Sequence, residues 1–197
     1  TGFKFSSLSF LINGICGILL NFILILKFDL ATLGIFNQAL VIYVIFSQFA
    51  NMGLSYAILY FSSNISFSIA ERIDIIYSAL IISVLSGIIF STIGFRSDSM
   101  FYYFFNSYEL SQAIKYSSIG LLFFPSSKVL LSGLNGLGEI RVYSIFQAIR
   151  SILIVVSLIF LISVKTKPYL LISTFVLTEA ILFLIILSYY IYAFKLP

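Results

Sequence analysis

Six stretches of about 20 apolar residues, each broken off by charge or by turn residues, occupy nearly all of this 197-residue chain. A helix needs about 20 mostly apolar residues to cross the hydrocarbon core of a bilayer. The stretches fall at about residues 5–26, 33–61, 75–95, 113–134, 142–164 and 169–194. Lys27, Phe28 and Asp29 close the first. Glu71, Arg72 and Asp74 follow the second, and Arg96 and Asp98 end the third. The run Asn135-Gly136-Leu137-Gly138 precedes the fifth, and Lys165-Thr166-Lys167-Pro168 precedes the sixth. These runs are too long, and alternate too little, for strands of an outer-membrane barrel. The expectation is an all-α integral membrane protein, a six-helix bundle forming one transmembrane unit over 1–197.

Composition excludes the soluble alternative. The chain is 61% hydrophobic and 9% charged, against about 45–50% and about 25% in soluble domains. Its mean hydropathy is +1.14. Too little polar surface exists to clothe a water-facing globule. With 22 Phe, 13 Tyr and no Trp, Tyr and Phe must supply any interfacial belt, and the cluster 101–105 reads as part of one. The first apolar run is a poor signal peptide, being too long and lacking a small-x-small cleavage site. The chain begins with Thr1, which leads us to expect a piece of a longer protein.

Several chemistries have no residues to carry them. There is no His, so neither a Ser-His-Asp triad nor an HExxH zinc site can be built. Cys16 stands alone, without an intrachain disulfide or CxxC pair, and reads as packing. No Gly-rich phosphate loop, cofactor motif or metal-ligand cluster is present. The net charge of +4 is scattered in ones and twos, with no block suited to nucleic acid. The expectation is no enzyme, no cofactor and no metal. Counting Lys and Arg by side gives Lys4, Arg72, Arg141 and Lys195 against Lys27, Arg96, Lys115, Lys165 and Lys167, too even to orient the chain.

The helices carry polar stripes. Ser6, Ser9, Asn13, Gly17 and Asn21 recur at helical spacing on the first. Asn37, Gln48, Asn51 and Ser55 do so on the second, and Ser83, Gly87, Ser91 and Gly94 on the third. On the fourth come Ser117, Pro125, Lys128, Ser132 and Asn135, and on the fifth Tyr143, Gln147, Arg150 and Ser157. Small residues let helices approach, and amides hydrogen-bond between them, so packing explains much of this. The same stripes suit a bundle around a partly wet cavity, with Asn13, Asn21, Asn37, Gln48, Asn51 and Gln147 as lining candidates.

Three charges lie inside predicted spans. Each of Lys128, Arg150 and Glu179 would cost about 2.5–3.5 kcal/mol at a helix centre on insertion scales. Lys128 is close enough to a helix end to snorkel. Arg150 and Glu179 can pair between neighbouring helices, or Glu179 can serve ion coupling. Pairing leaves one positive charge over. A cavity holding Lys128 and Arg150 would lower the cost of moving an anionic group, and phosphate suits both side chains.

The segments Leu33-Gly34-Ile35-Phe36-Asn37-Gln38, Asn51-Met52-Gly53-Leu54-Ser55-Tyr56-Ala57-Ile58 and Gly133-Leu134-Asn135-Gly136-Leu137-Gly138 resemble those of the polysaccharide-export flippases of the MATE-like (MOP) superfamily, in particular Wzx-type O-antigen and capsule flippases. The resemblance implies one six-helix lobe, the N-terminal one, of a two-lobe transporter in the inner (plasma) membrane. It implies that undecaprenyl-pyrophosphate-linked oligosaccharide is moved between leaflets by alternating access. Lys128 and Arg150 would then meet the pyrophosphate. Membrane lipids, a polymerase and other polysaccharide-assembly proteins are the implied partners, and the N-terminus is cytoplasmic. The rival expectations are another MATE-like exporter, for drugs or lipid II, and a membrane enzyme such as a polysaccharide polymerase or acyltransferase. The first and second helices carry Asn and Gln where lipid II flippases tend to carry Arg. Long outside loops bearing Arg or His, which a polymerase would favour, are missing.

Overall fold

A computed structural model describes residues 2–194, apart from the side chain of Phe3, and every element in it is helical. The elements are α1 (Gly2–Lys27), α2 (Leu30–Asn51), α3 (Leu54–Ser63), α4 (Ile69–Arg96), α5 (Asp98–Phe105), α6 (Tyr108–Ser117), α7 (Phe124–Gly136), α8 (Ile140–Ser163) and α9 (Thr174–Phe194). Short 3-10 segments, Ser118–Leu122 and Pro168–Ser173, lead into α7 and α9. Five helical stretches are long and apolar enough to cross a bilayer, and α6 with α7, bent by 43°, makes a sixth if counted as one span. The outer surface is apolar: Phe10 is 80% exposed and Ile18 72%. That inverts the pattern of a water-soluble protein and matches a multi-pass membrane bundle.

Three boundaries differ from the expectation. The second span is not one helix over 33–61. It breaks at Met52 and Gly53, both left-handed (φ 47° and 74°), a conformation glycine adopts without steric penalty. Residues 69–74, expected in a loop, form the first turns of α4. Ser68 caps them: its hydroxyl accepts from the Glu71 N–H (3.3 Å), and the Glu71 carboxylate accepts from the Ser68 N–H (2.7 Å). The aromatic cluster of the expected loop 96–112 is the helix α5, with Tyr102, Tyr103, Phe104 and Phe105 exposed. Between α1 and α2, Asp29 accepts from the Thr32 N–H (2.9 Å) as N-cap, and its bonds with Thr32 hold its carboxyl below the usual range.

The fourth span bends for a reason legible in its residues. Pro125 has no N–H, and its ring excludes the carbonyl of Leu121 from the helical ladder. α4 uses the space. A Cβ on Gly87 would lie 2.7 Å from the Leu121 carbonyl oxygen and 3.0 Å from that of Leu122. The small-residue line of α4 is therefore packing: Ser83, Gly87, Ser91 and Gly94 are all buried, and Ser83 meets Ser126 across the contact (3.2 Å). Gly87→Ala is expected to destabilise by about 1–3 kcal/mol. Gly14→Ala, where nothing lies within 4 Å, is expected to be neutral or slightly stabilising. Thermal unfolding of the two purified variants in detergent checks the contrast.

Two apolar cores form, one toward each end. Leu24, Phe36, Ile114, Leu158 and Leu171 belong to the first, and Ile76, Leu130, Leu134, Leu182 and Tyr190 to the second. On α8 the cores are separated by 150–153, on α9 by 178–181, and along the fourth span by 122–128. The three intramembrane charges fall in those intervals. They form a polar waist between two greasy ends.

Candidate functional site

The waist is organised around the Phe124 ring. Arg150 Cζ lies 5.4 Å from its centroid and Lys128 Nζ 5.6 Å. A cation over an aromatic face is stabilised, more so when desolvated. Phe124 also meets Tyr43 edge-on (6.2 Å), and Tyr43 stacks on Phe175 (5.7 Å). Phe124 precedes Lys128 by four residues, so both occupy one helix face. That spacing is readable in the sequence, where the ring was nonetheless missed as a candidate.

The charges divide unequally. Arg150 donates to Glu179 Oε1 through Nε (2.8 Å) and Nη2 (2.5 Å). Glu179 is 1% exposed. The structural ion pair, one of the two roles open to Glu179 on the sequence, is thus present. Lys128, among the described residues, has no carboxylate and no hydrogen-bond partner. The surplus positive charge stands next to a neutralised pair.

Lys128 opens onto two adjoining cavities. One, of about 220 Å³, is lined by Ser55, Tyr56, Ser132, Asn135, Tyr143 and Gln147 among others. The other, of about 90 Å³, is lined by Gln48, Asn51, Ser55, Tyr56 and Phe124. Gln147 donates to the Tyr143 hydroxyl (3.1 Å), and Asn51 donates to the Ser55 hydroxyl (2.6 Å). The Asn51 bond turns its Oδ1 the other way, buried and without a partner. A buried acceptor left unsatisfied costs about 1–3 kcal/mol, so a donor belongs beside it. The break after Asn51 does not scatter the second-helix stripe here: Gln48, Asn51 and Ser55 still converge.

The remaining candidates sit elsewhere. Asn13, Asn21 and Asn37 line a separate cavity of about 180 Å³ between α1, α2 and α8, with Ser151 and Phe175. The Ser151 hydroxyl donates to Asn13 Oδ1, and Asn21 donates to the Gly17 carbonyl (3.0 Å). The sequence grouped all six amides around one cavity. The structure divides them three and three, because α1 packs chiefly on α8 and leaves a cleft toward α2. Arg150 lines none of the three cavities; its guanidinium is committed to Glu179 and Phe124. Lys195, expected on the same side as Lys4, lies outside the described residues.

No group of three or more His, Cys, Asp or Glu that could hold a metal exists among the described residues. Asp98, at the start of α5 and outside the spans, pairs with Lys115 of α6 (2.8 Å), and that hydrogen bond holds the Asp98 carboxyl below its ordinary range. A carboxylate with a lowered folded-state pKa contributes stability above its unfolded pKa and loses it as pH falls through the folded value. The melting temperatures of the wild type and Asp98→Asn should therefore differ at neutral pH, and the difference should begin to shrink only as pH falls below about 4. The chain matches no known protein family, no curated protein and no solved structure.

Proposed function

We propose that this chain, as one lobe of a two-lobe transporter and not an enzyme, serves to move an anionic, lipid-linked oligosaccharide between leaflets of the inner (plasma) membrane by alternating access. The observation that carries the reading is Lys128: one unpaired cation at the waist, facing polar cavities, beside an ion pair that has no charge to spare. A permanent structural role would favour a paired cation or an apolar residue, because charge inside a bilayer is expensive. A pyrophosphate headgroup supplies the missing counter-charge. Asn13 and Asn21 are exposed in the cleft between α1, α2 and α8. Amides do not face hydrocarbon without cost, and a second lobe or a wet cleft over α1 and α2 would cover them. The resemblance in the three quoted segments points the same way.

Depleting the protein from its host tests the function. Lipid-linked oligosaccharide should accumulate on the inner leaflet while surface polysaccharide falls. Surface polysaccharide of shortened chain length would instead favour a polymerase. No change in either would remove the oligosaccharide reading.

A further inference from the structure

A second polar groove lies away from the waist, at the end of the bundle that carries Lys27, Arg96 and Lys167. It has a volume of about 230 Å³ and is lined by Asp98, Ser99, Tyr102, Tyr108, Ser111 and Gln112. Two of its walls are aromatic. Tyr108 is braced edge-on against Tyr169 (6.3 Å, 82°), and Tyr169 in turn stacks on Tyr116 (6.2 Å). Tyr102 projects from α5 and is 49% exposed. The polar wall is held in place by bonds within it. Lys115 occupies one oxygen of Asp98 (2.8 Å), and the Ser111 hydroxyl donates to the Asp98 carbonyl (2.7 Å). The other Asp98 carboxylate oxygen has no side-chain partner, and the Gln112 amide makes no hydrogen bond among the described residues.

The chemistry of this groove selects by elimination. An anion would meet the Asp98 carboxylate. A cation would compete with Lys115 for that same carboxylate. An acyl chain would strand Asp98, Ser99 and Gln112 against hydrocarbon. A neutral ring with hydroxyls on its edge and C–H groups on its faces meets none of these objections. Its hydroxyls can donate to Asp98 and exchange hydrogen bonds with Gln112, while its faces lie on tyrosine rings. Pockets of this make-up, apolar walls with a few fixed polar groups, are where small ligands bind. We propose that the groove between α5 and α6 binds a neutral saccharide ring. The inference stands on the groove alone and does not require that the chain be a flippase.

Saturation-transfer NMR on the protein in phospholipid nanodiscs, free of sugar-headed detergent, tests it with glucose, galactose, N-acetylglucosamine and rhamnose as probes. At least one probe should give a saturable signal. Tyr108→Ala and Gln112→Ala should each weaken it by about fivefold or more. Tyr192→Ala, an exposed tyrosine of α9 remote from the groove in sequence and element, should leave it unchanged. Both tested side chains reach the surface, and unchanged helicity and elution volume would show that the variants fold. No saturable signal from any of the four sugars overturns the proposal, as does a signal that survives both substitutions. Because the readout is binding and not export, failure here leaves the proposal for Lys128 intact, and failure there leaves this one intact.

Discussion

Glu179→Ala is expected to lower stability by about 3–5 kcal/mol, more than any loss expected of Gly87→Ala or Asp98→Asn. Glu179 is almost wholly buried and takes two hydrogen bonds from Arg150. Removing it leaves a guanidinium in the middle of the bundle over the Phe124 ring with no carboxylate beside it among the described residues. The cost is that of an orphaned charge, not the net worth of the pair. The double substitution Arg150→Met/Glu179→Leu should accordingly recover most of the loss, because both desolvation penalties disappear together. Unfolding curves of the two single variants and the double in one detergent measure this. A double variant as unstable as Glu179→Ala would mean that the pair holds the waist together in a way that apolar packing cannot replace.

The second large effect runs in opposite directions for stability and function. Lys128 pairs with nothing among the described residues, so Lys128→Met should fold as well as the wild type or better. Neutralising a charge inside the bilayer removes a cost of about 2.5–3.5 kcal/mol on insertion scales. Export should fall all the same, by about tenfold or more, for a loss of one charge-assisted contact to phosphate. Lys128→Glu should be worse, and Lys128→Arg should keep much of the activity. Stability and export measured on the same three variants separate the possibilities. A Lys128→Met variant that is both unstable and inactive would make Lys128 a structural residue, and one that is stable and active would leave it without a role.

Much of this molecule was legible because hydrocarbon imposes its own grammar. The long apolar runs announced spans, and the cost of burying Arg150 and Glu179 made their pairing one of the readings open on the sequence. The Pro125 bend could be read from the missing N–H. Other features depended on packing. Leu54 to Phe61 is as apolar and helical as the run before it, so the break at Met52 and Gly53 left no trace in hydropathy. The early start of α4 did leave one: Ser68 and Glu71 have capping-box spacing, but the charges of Arg72 and Asp74 resemble those of a loop. The stripe Asn13, Gly17 and Asn21 was correctly a face. Whether that face met Lys128 depended on how α1 leans on α8, and periodicity says nothing about which neighbour a stripe will find. The Phe124 ring stayed hidden because aromatic residues are so common here that one more carried no signal.

If Lys128 meets an anionic lipid-linked headgroup during translocation, its charge must matter to transport by the purified protein alone. Sealed vesicles holding a fluorescent undecaprenyl-pyrophosphate-linked glycan, scored for access of the label to an impermeant quencher, put that to the test. The wild type should expose a second leaflet's worth of the lipid to quencher, and Lys128→Glu should not, though it folds. Equal exposure by the two proteins would contradict the role assigned to Lys128.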